Sequence, residues 1–219
     1  MGDVWTVRAL REFLTVLYGG QLHADGWHPD TAVVARRRRV SRRTVQRWIS
    51  GDPAAPAPIP PSRLRQLQRG YRLRRSTLQR EEAARTDLLR KESRRRLGRG
   101  RGNLREYEAS GWLEPHLLLL LEAKDRPLRR IAVTRDTPST RQRASSGFVV
   151  VDEVVCPDKF IADAARLELL HLIQPWRLEM TQARLPKGRT QVWLAAAPIP
   201  PLAKVLDIVQ VRAEAAWLG

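Results

Sequence analysis

Apolar residues recur at helical spacing through the first half of the chain and give way to short β-type runs in the second. Between Asp3 and Tyr18, Leu10, Phe13, Leu14 and Leu17 fall on one stripe of a predicted helix, which Gly19-Gly20 ends. Trp5 and Val7 extend that contact. GGQLHADGWHPD, residues 19–30, reads as a loop in which Trp27 plugs a small core. From Thr31 to Gly51, TAVVARRRRVSRRTVQRWISG reads as helix, tight turn, helix. Val34 and Ala35 face inward on the first helix, Val40 sits in the turn, and Val45 and Trp48 share one face of the second. Ser41 is a good N-cap and Gly51 a good stop. The first stripe is expected to pack on the back of this pair.

Asp52 to Pro61 holds five prolines in ten residues, which forbids a helix and predicts an extended, semi-rigid spacer. Ser62 to about Leu97 is helical in composition, with Ser62 as N-cap, either as one long helix or as two broken near Gly70. Leu64, Leu67, Tyr71 and Leu78 suit packing on another helix or on a second copy of the chain, with an interruption at Arg74. Glu81 and Arg85 are placed for an intrahelical pair. Arg94 to Arg105, RRRLGRGRGNLR, reads as a Gly/Arg linker.

Beyond Trp112 the pattern changes. His116 to Ala123 and Arg129 to Arg135 predict a hairpin around Lys124-Asp125-Arg126-Pro127, the first run being compatible with a short helix as well. Thr137 to Ser146 reads as a polar loop and GFVVVDEVV, residues 147–155, as the clearest buried strand. Pro157-Asp158 opens a helix to about Ile173 with Phe160, Ile161, Ala164, Leu167 and Leu170 inward and His171 in the core or at its edge. Arg177–Leu185 and Thr190–Ala196 predict a hairpin turning at Pro186-Lys187-Gly188, and Leu202–Leu218 a final helix.

Charge changes the picture. The 219 residues include 40 basic and 23 acidic side chains, a net +17, which points to a polyanionic partner. Only five of the 40 are Lys. Codon usage in a GC-rich genome would enrich Arg equally, so the placement of the arginines carries the argument and their number does not. The outward face of the second helix holds Arg42, Arg43, Gln46 and Arg47, residue types that read guanine and adenine edges. Arg36, Arg37, Arg38, Arg39, Ser41 and Thr44 are placed to hold phosphates.

The segment TAVVARRRRVSRRTVQRWISG resembles the helix-turn-helix of bacterial and phage regulators. It departs from them at Arg39, where such motifs usually carry Gly, so the turn needs a different or a strained backbone. The resemblance implies double-stranded DNA as partner, with Arg42, Arg43, Gln46 and Arg47 reading bases. Together with the Arg/Ala/Pro-rich composition, the overall look is similar to immunity repressors of actinobacterial phages and mobile elements, which implies a transcriptional repressor. VSRRTVQRW followed by a Pro-rich spacer and a basic helix also resembles the terminal proteins of linear actinobacterial replicons, which implies a replication or telomere role. A non-specific nucleoid or packaging protein is the third reading. GRGRG is similar to minor-groove hooks and makes Arg94, Arg95, Arg96, Arg99 and Arg101 candidates for extra DNA contacts.

The expected fold is a mainly α N-terminal half, a three-helix helix-turn-helix head plus a long basic helix, followed by a small α+β domain with a mixed or antiparallel sheet. The expected boundaries are 1–52 for the head, 53–61 for the Pro-rich linker, 62–97 for the basic helix, 98–111 for the Gly/Arg linker and 112–219 for the α+β domain. That last domain would bind further DNA or pair protomers as a homodimer.

Candidate chemistry adds little. Cys156 is the single cysteine, and its apolar flank predicts an inert thiol. His23, His28, His116 and His171 are scattered, and no phosphate-loop, dinucleotide-binding or zinc-protease motif occurs. Asp152 and Glu153 are neighbours in a strand and point to opposite faces. The expectation is a protein that is not an enzyme and has no cofactor, metal or small-molecule ligand. MGDVWTVRALREF is too polar for a signal peptide and Leu117 to Leu121 too short to span a bilayer, so a soluble, cytoplasmic, nucleoid-associated protein is expected.

Overall fold

A computed structural model of the chain describes residues 5–69, 71, 73–96, 101–179 and 191–218. In order the elements are α1 (Val7–Tyr18), β1 (Gly20–His23), β2 (Gly26–Pro29), α2 (Thr31–Arg38), α3 (Arg42–Ile49), α4 (Pro61–Gln68), α5 (Arg75–Arg96) and α6 (Arg101–Ala109). Then come β3 (His116–Ala123), β4 (Leu128–Arg135), α7 (Pro138–Ser145), β5 (Phe148–Cys156), α8 (Lys159–Leu172), β6 (Arg177–Leu178), β7 (Val192–Leu194) and α9 (Leu202–Leu218). Helices are mixed with a two-stranded sheet, β1-β2, and a five-stranded sheet in the order β5-β3-β4-β7-β6. The chain divides into two compact units. One is Met1–Arg72 with Ala123–Arg129 and Pro175–Pro198, and the other is Leu73–Glu122 with Arg130–Gln174 and Ile199–Gly219.

In the first unit α1 is the axis. Thr6 caps it by accepting the Ala9 N–H at 3.2 Å, and Gly19 ends it at φ 82°. Val7, Ala9, Leu10, Phe13, Leu14, Val16 and Leu17 are all buried, more than the single stripe expected, because the hairpin, α2, α3 and β7 all pack on this helix. The segment expected as a loop over residues 19–30 is the β1–β2 hairpin, with Leu22 opposite Trp27 and Gln21 opposite His28. Gly20 permits that close pairing: a Cβ there would lie 2.1 Å from the His28 carbonyl oxygen. Trp27 is half-buried on the hairpin and does not fill the core as expected.

The Pro-rich stretch is not a free spacer. Val7 and Arg8, whose N–H groups have no acceptor inside α1, donate to the Ala55 and Pro53 carbonyls at 2.9 and 3.0 Å. Ala57 N–H donates to Trp5 O at 2.7 Å, and Ile59 is buried. A strand without proline N–H groups can still accept, and acceptors are what a helix N-terminus lacks. The stretch is thus a strap across the start of α1.

α4 begins with Pro61 at its first position and Pro60 as N-cap, so Ser62 is not the cap. The basic stretch is two helices, interrupted between Gln68 and Arg75. Leu64, Leu67 and Tyr71 join the core of the first unit, which also takes Leu128, Leu178, Val192 and Leu194. Of the strand expected over 177–185 the described residues include β6, and residues 180–185 lie outside them. β7 is shorter than expected, and the two strands pair antiparallel, Arg177 with Trp193 and Leu178 with Val192. The expected turn at Pro186-Lys187-Gly188 lies outside the described residues.

In the second unit α5, α8 and α9 pack on one another. Glu168, buried on α8, accepts from Arg85 at 2.7 Å and also from Arg212. Arg85 further pairs with Glu82 at 2.8 Å, so these two carboxylates, rather than Glu81, hold it. A linker was expected over 98–111, but α6 occupies Arg101–Ala109. The hairpin predicted around residues 124–127 is β3 and β4. Leu117, Leu119 and Leu121 pack with Ala132, Ala144, Phe148 and Val150. Leu118 and Leu120, which point to the opposite face, are buried as well, so both faces of β3 are covered. Residues 138–145, expected as a loop, form α7, capped by Thr137 with Pro138 at its first turn. β5 was expected to be buried. It is half-exposed in alternation, with Val149, Val151 and Val155 52%, 46% and 54% exposed. Asp152 and Glu153 point apart as expected, Asp152 accepting the Leu202 N–H at 2.8 Å and Glu153 pairing with Arg141. On α8, Asp158 is the N-cap, Phe160, Ile161, Ala164, Leu167 and Leu170 are buried, and His171 is exposed. Among the described residues no helix is long and apolar enough to cross a membrane.

Candidate nucleic-acid interface

Residues 31–51 contain seven arginines and no acidic residue, and the structure explains how they are presented. Asp30 caps α2 by accepting the Ala32 and Val33 N–H groups at 2.9 and 3.0 Å. Val34 and Ala35 are buried beneath it. Arg39 then turns the chain in the left-handed region, φ 53°, ψ 47°, where glycine is the usual occupant. Of the two backbone solutions open to an arginine at this position, the strained one is used. Val40, half-buried against the core, follows.

Ser41 opens α3 by accepting the Thr44 N–H at 3.0 Å, and its Oγ lies 2.8 Å from Thr44 Oγ1. Val45, Trp48 and Ile49 anchor the inner face at 0%, 4% and 7% exposure. Arg42 Nε donates to Thr31 Oγ1 at 3.0 Å, stapling the start of α3 to the start of α2. At the other end the buried Arg11 donates Nε to the Ile49 carbonyl at 2.7 Å, placing a cation against the helix C-terminus. α3 is therefore fixed at both ends and along one face.

The predicted site residues between Arg36 and Arg47 separate into three groups. Arg43, Gln46 and Arg47 are exposed on α3, and among the described residues their side chains make no hydrogen bond or ion pair. Arg36, Arg37 and Arg39 are likewise exposed and unpaired. The remainder are partly engaged in the fold. Arg38 is half-buried, donates to the Tyr18 hydroxyl and lies 5.4 Å from the Tyr18 ring centroid. Ser41 and Thr44 bond each other, and Arg42 bonds Thr31. The side chains of Arg94, Arg95, Arg96, Arg99 and Arg101 lie outside the described residues.

Two hollows border this surface. One, about 700 Å³, is lined by residues that include Tyr18, Val33, Arg37, Tyr71 and Arg126. The other, about 410 Å³, lies between the β1–β2 hairpin and the start of α2 and α3, a position the sequence did not disclose because the hairpin itself was read as a loop. Asp25-Gly26, between Leu22 and Trp27, is the signal that could have found it.

Elsewhere Cys156 is fully buried, and burial together with the nearby Asp158 carboxylate pushes its thiol up to about 12, so it stays protonated at neutral pH. Among the described residues no group of three or more His, Cys, Asp or Glu side chains is placed to hold a metal ion. Compared with protein-family models, curated proteins and solved structures, the chain matches none.

Proposed function

We propose that this chain binds double-stranded DNA with sequence preference and acts as a transcriptional repressor of the phage-immunity type. In this reading α2, the Arg39–Ser41 turn and α3 are a helix-turn-helix, and α3 enters the major groove. The observation that carries the proposal is the outer face of α3. Arg43, Gln46 and Arg47 project from a helix that Val45, Trp48 and Ile49 lock in place, with no acidic partner in the segment to neutralise them. Long polar side chains held at a fixed spacing on a rigid helix are suited to base edges, Arg to guanine O6/N7 and Gln to adenine N6/N7. Arg36, Arg37 and Arg39 flank that face and supply phosphate contacts that set register without reading sequence.

Fluorescence anisotropy with labelled duplexes, competed with genomic fragments at physiological salt, tests the proposal. A binding site preferred over bulk DNA by 10³-fold or more supports it, that being roughly the lower range for specific binders. Binding that genomic fragments abolish at equal mass would assign the chain to non-specific nucleoid packaging instead.

A further inference from the structure

The groove between the hairpin and the helix starts has a chemistry of its own. The hairpin contributes Gln21, His23 and His28, α2 contributes Thr31 with Asp30 as its cap, and α3 contributes Arg42. His23 is exposed and His28 half-buried, and their rings meet edge to face with centroids 4.8 Å apart. His28 Nε2 lies 2.9 and 3.0 Å from the two Asp25 oxygens, and Arg11 Nη1 donates to the same carboxylate at 3.1 Å. Arg11 Nη1 also lies 3.5 Å from His28 Nε2. Two carboxylates stand near the groove, and both are already in use. Asp25 is taken up by Arg11 and His28, and Asp30 Oδ1 accepts two N–H groups of α2. Arg42 lines the groove and spends only Nε on Thr31, its terminal nitrogens making no other bond among the described residues. His28 Nε2 is turned to Asp25, so what remains to meet a ligand is the Arg42 guanidinium, the exposed His23 imidazole, the Nδ1 side of His28, which donates only in the protonated ring, and the Gln21 amide.

We propose that this groove holds a backbone phosphate of bound duplex DNA, with Arg42, His23 and His28 as its ligands. The inference rests on α3 being the DNA-reading helix, since Arg42 is the first residue of α3 and carries the groove onto the proposed contact surface. It reassigns Arg42 from base reading to phosphate binding. It also gives binding a pH dependence. Imidazoles ordinarily gain a proton as pH falls through about 6.5, so the groove becomes more cationic on acidification. The groups facing the two imidazoles are Asp25 in the hairpin turn, Arg11 from α1, Asp30 at α2 and Arg42 at α3.

The test uses the full chain and a labelled random-sequence duplex, with affinity measured against salt at pH 6 and pH 8. Each phosphate neutralised adds about 0.9 to the slope of log affinity on log salt. The wild type is expected to bind more tightly at pH 6, with a slope steeper by up to about 0.9 than at pH 8, since one phosphate is held. His23→Gln with His28→Gln is expected to make the two slopes equal. His23→Gln alone, at an exposed position, gives about half the effect and serves if the double variant fails to fold. Arg42→Gln is expected to flatten the slope by about one for every sequence alike. If the wild-type slope is the same at both pH values, or the histidine variants retain the difference, the groove is not a phosphate site, while DNA reading by α3 stands. If Arg42→Gln alters preference at one base position, Arg42 is a reader. If the wild type binds no duplex at either pH, both this inference and the reading beneath it fall.

Discussion

Arg39 shows how a single residue links the fold to its proposed use. Its φ of 53° is the only positive value at a non-glycine among the described residues. The left-handed region costs an L-residue roughly 1–2 kcal/mol, and a glycine there gives back about 0.5–1 kcal/mol in chain entropy. Arg39→Gly is therefore expected to raise unfolding stability by up to about 1 kcal/mol in a urea titration while weakening DNA binding. Arg39→Val, branched at Cβ, is expected to lower stability. A stability loss in the glycine variant would contradict the strained turn. Glu12 offers a residue-scale test of another kind. Burial raises its carboxyl above the usual range, although Ala196 N–H and Arg8 Nε donate to it at 2.6 and 3.1 Å. The folded state then binds a proton at higher pH than the unfolded state. The stability linked to this group is present below the unfolded value, about 4.3, and is lost as pH rises through the folded one. Glu12→Gln, which can still accept from Ala196, is expected to flatten the fall in stability from pH 4 toward neutrality, as followed by urea midpoints. An unchanged profile would show that Glu12 is not the group responsible.

At the scale of elements, the strap over residues 53–60 makes the sharpest claim. Two of its carbonyls take N–H groups from the first turn of α1 and its Ile59 is buried. Replacing residues 53–58 with Gly and Ser at constant length keeps the backbone carbonyls but removes Pro53, Pro56 and Pro58, and is expected to cost about 1–3 kcal/mol through added unfolded-state freedom, at about 0.4–1 kcal/mol per proline. A free spacer would tolerate the change with no loss. The strap was illegible in the sequence because proline content reports only what a segment cannot be; where its carbonyls go is a tertiary matter. The α2–α3 pair was legible because buried and exposed positions alternate at helical spacing around Val34, Val45 and Trp48, and because Ser41 caps α3 as its type suggests. Its turn was legible only as two alternatives, since an arginine in place of glycine at position 39 had to be either rerouted or strained, and the structure shows the second. The hairpin was missed because its strands are four residues each and β1 is exposed throughout, leaving little periodicity to read. α7 was missed for its polarity, although Thr137-Pro138 is a start signal in its own right. β5 was misread in the other direction: a run of valines signals a strand, but not which faces are covered.

For the whole molecule, sequence order and spatial grouping disagree, and this decides how the chain can be cut. Residues 123–129 and 175–198 belong to the first unit with α1. The links are specific: Ala196 N–H to Glu12 at 2.6 Å, Glu179 N–H to Tyr71 O at 2.8 Å, and Trp176 stacked on Trp5 at 5.9 Å between centroids. No local pattern could reveal these, since the partners are more than a hundred residues apart. A fragment of residues 1–72 would expose the surfaces that Leu178, Val192 and Leu194 cover. Each such large apolar side chain is worth about 1.5–3 kcal/mol when buried, so the fragment is expected to melt well below the full chain in circular dichroism. A fragment as stable as the whole would show that the head stands alone.

The central claim is that α3 reads bases while the arginines around it hold the backbone. The most direct measurement is selection of bound sites from a random duplex pool, followed by base-by-base affinities for the wild type, Arg43→Ala and Arg37→Ala. The account predicts a recovered motif, a loss of about 1–3 kcal/mol in discrimination confined to one base position for Arg43→Ala, and for Arg37→Ala a uniform weakening with a shallower salt slope. An Arg43→Ala protein that recovers the wild-type motif with every position weakened alike would contradict it.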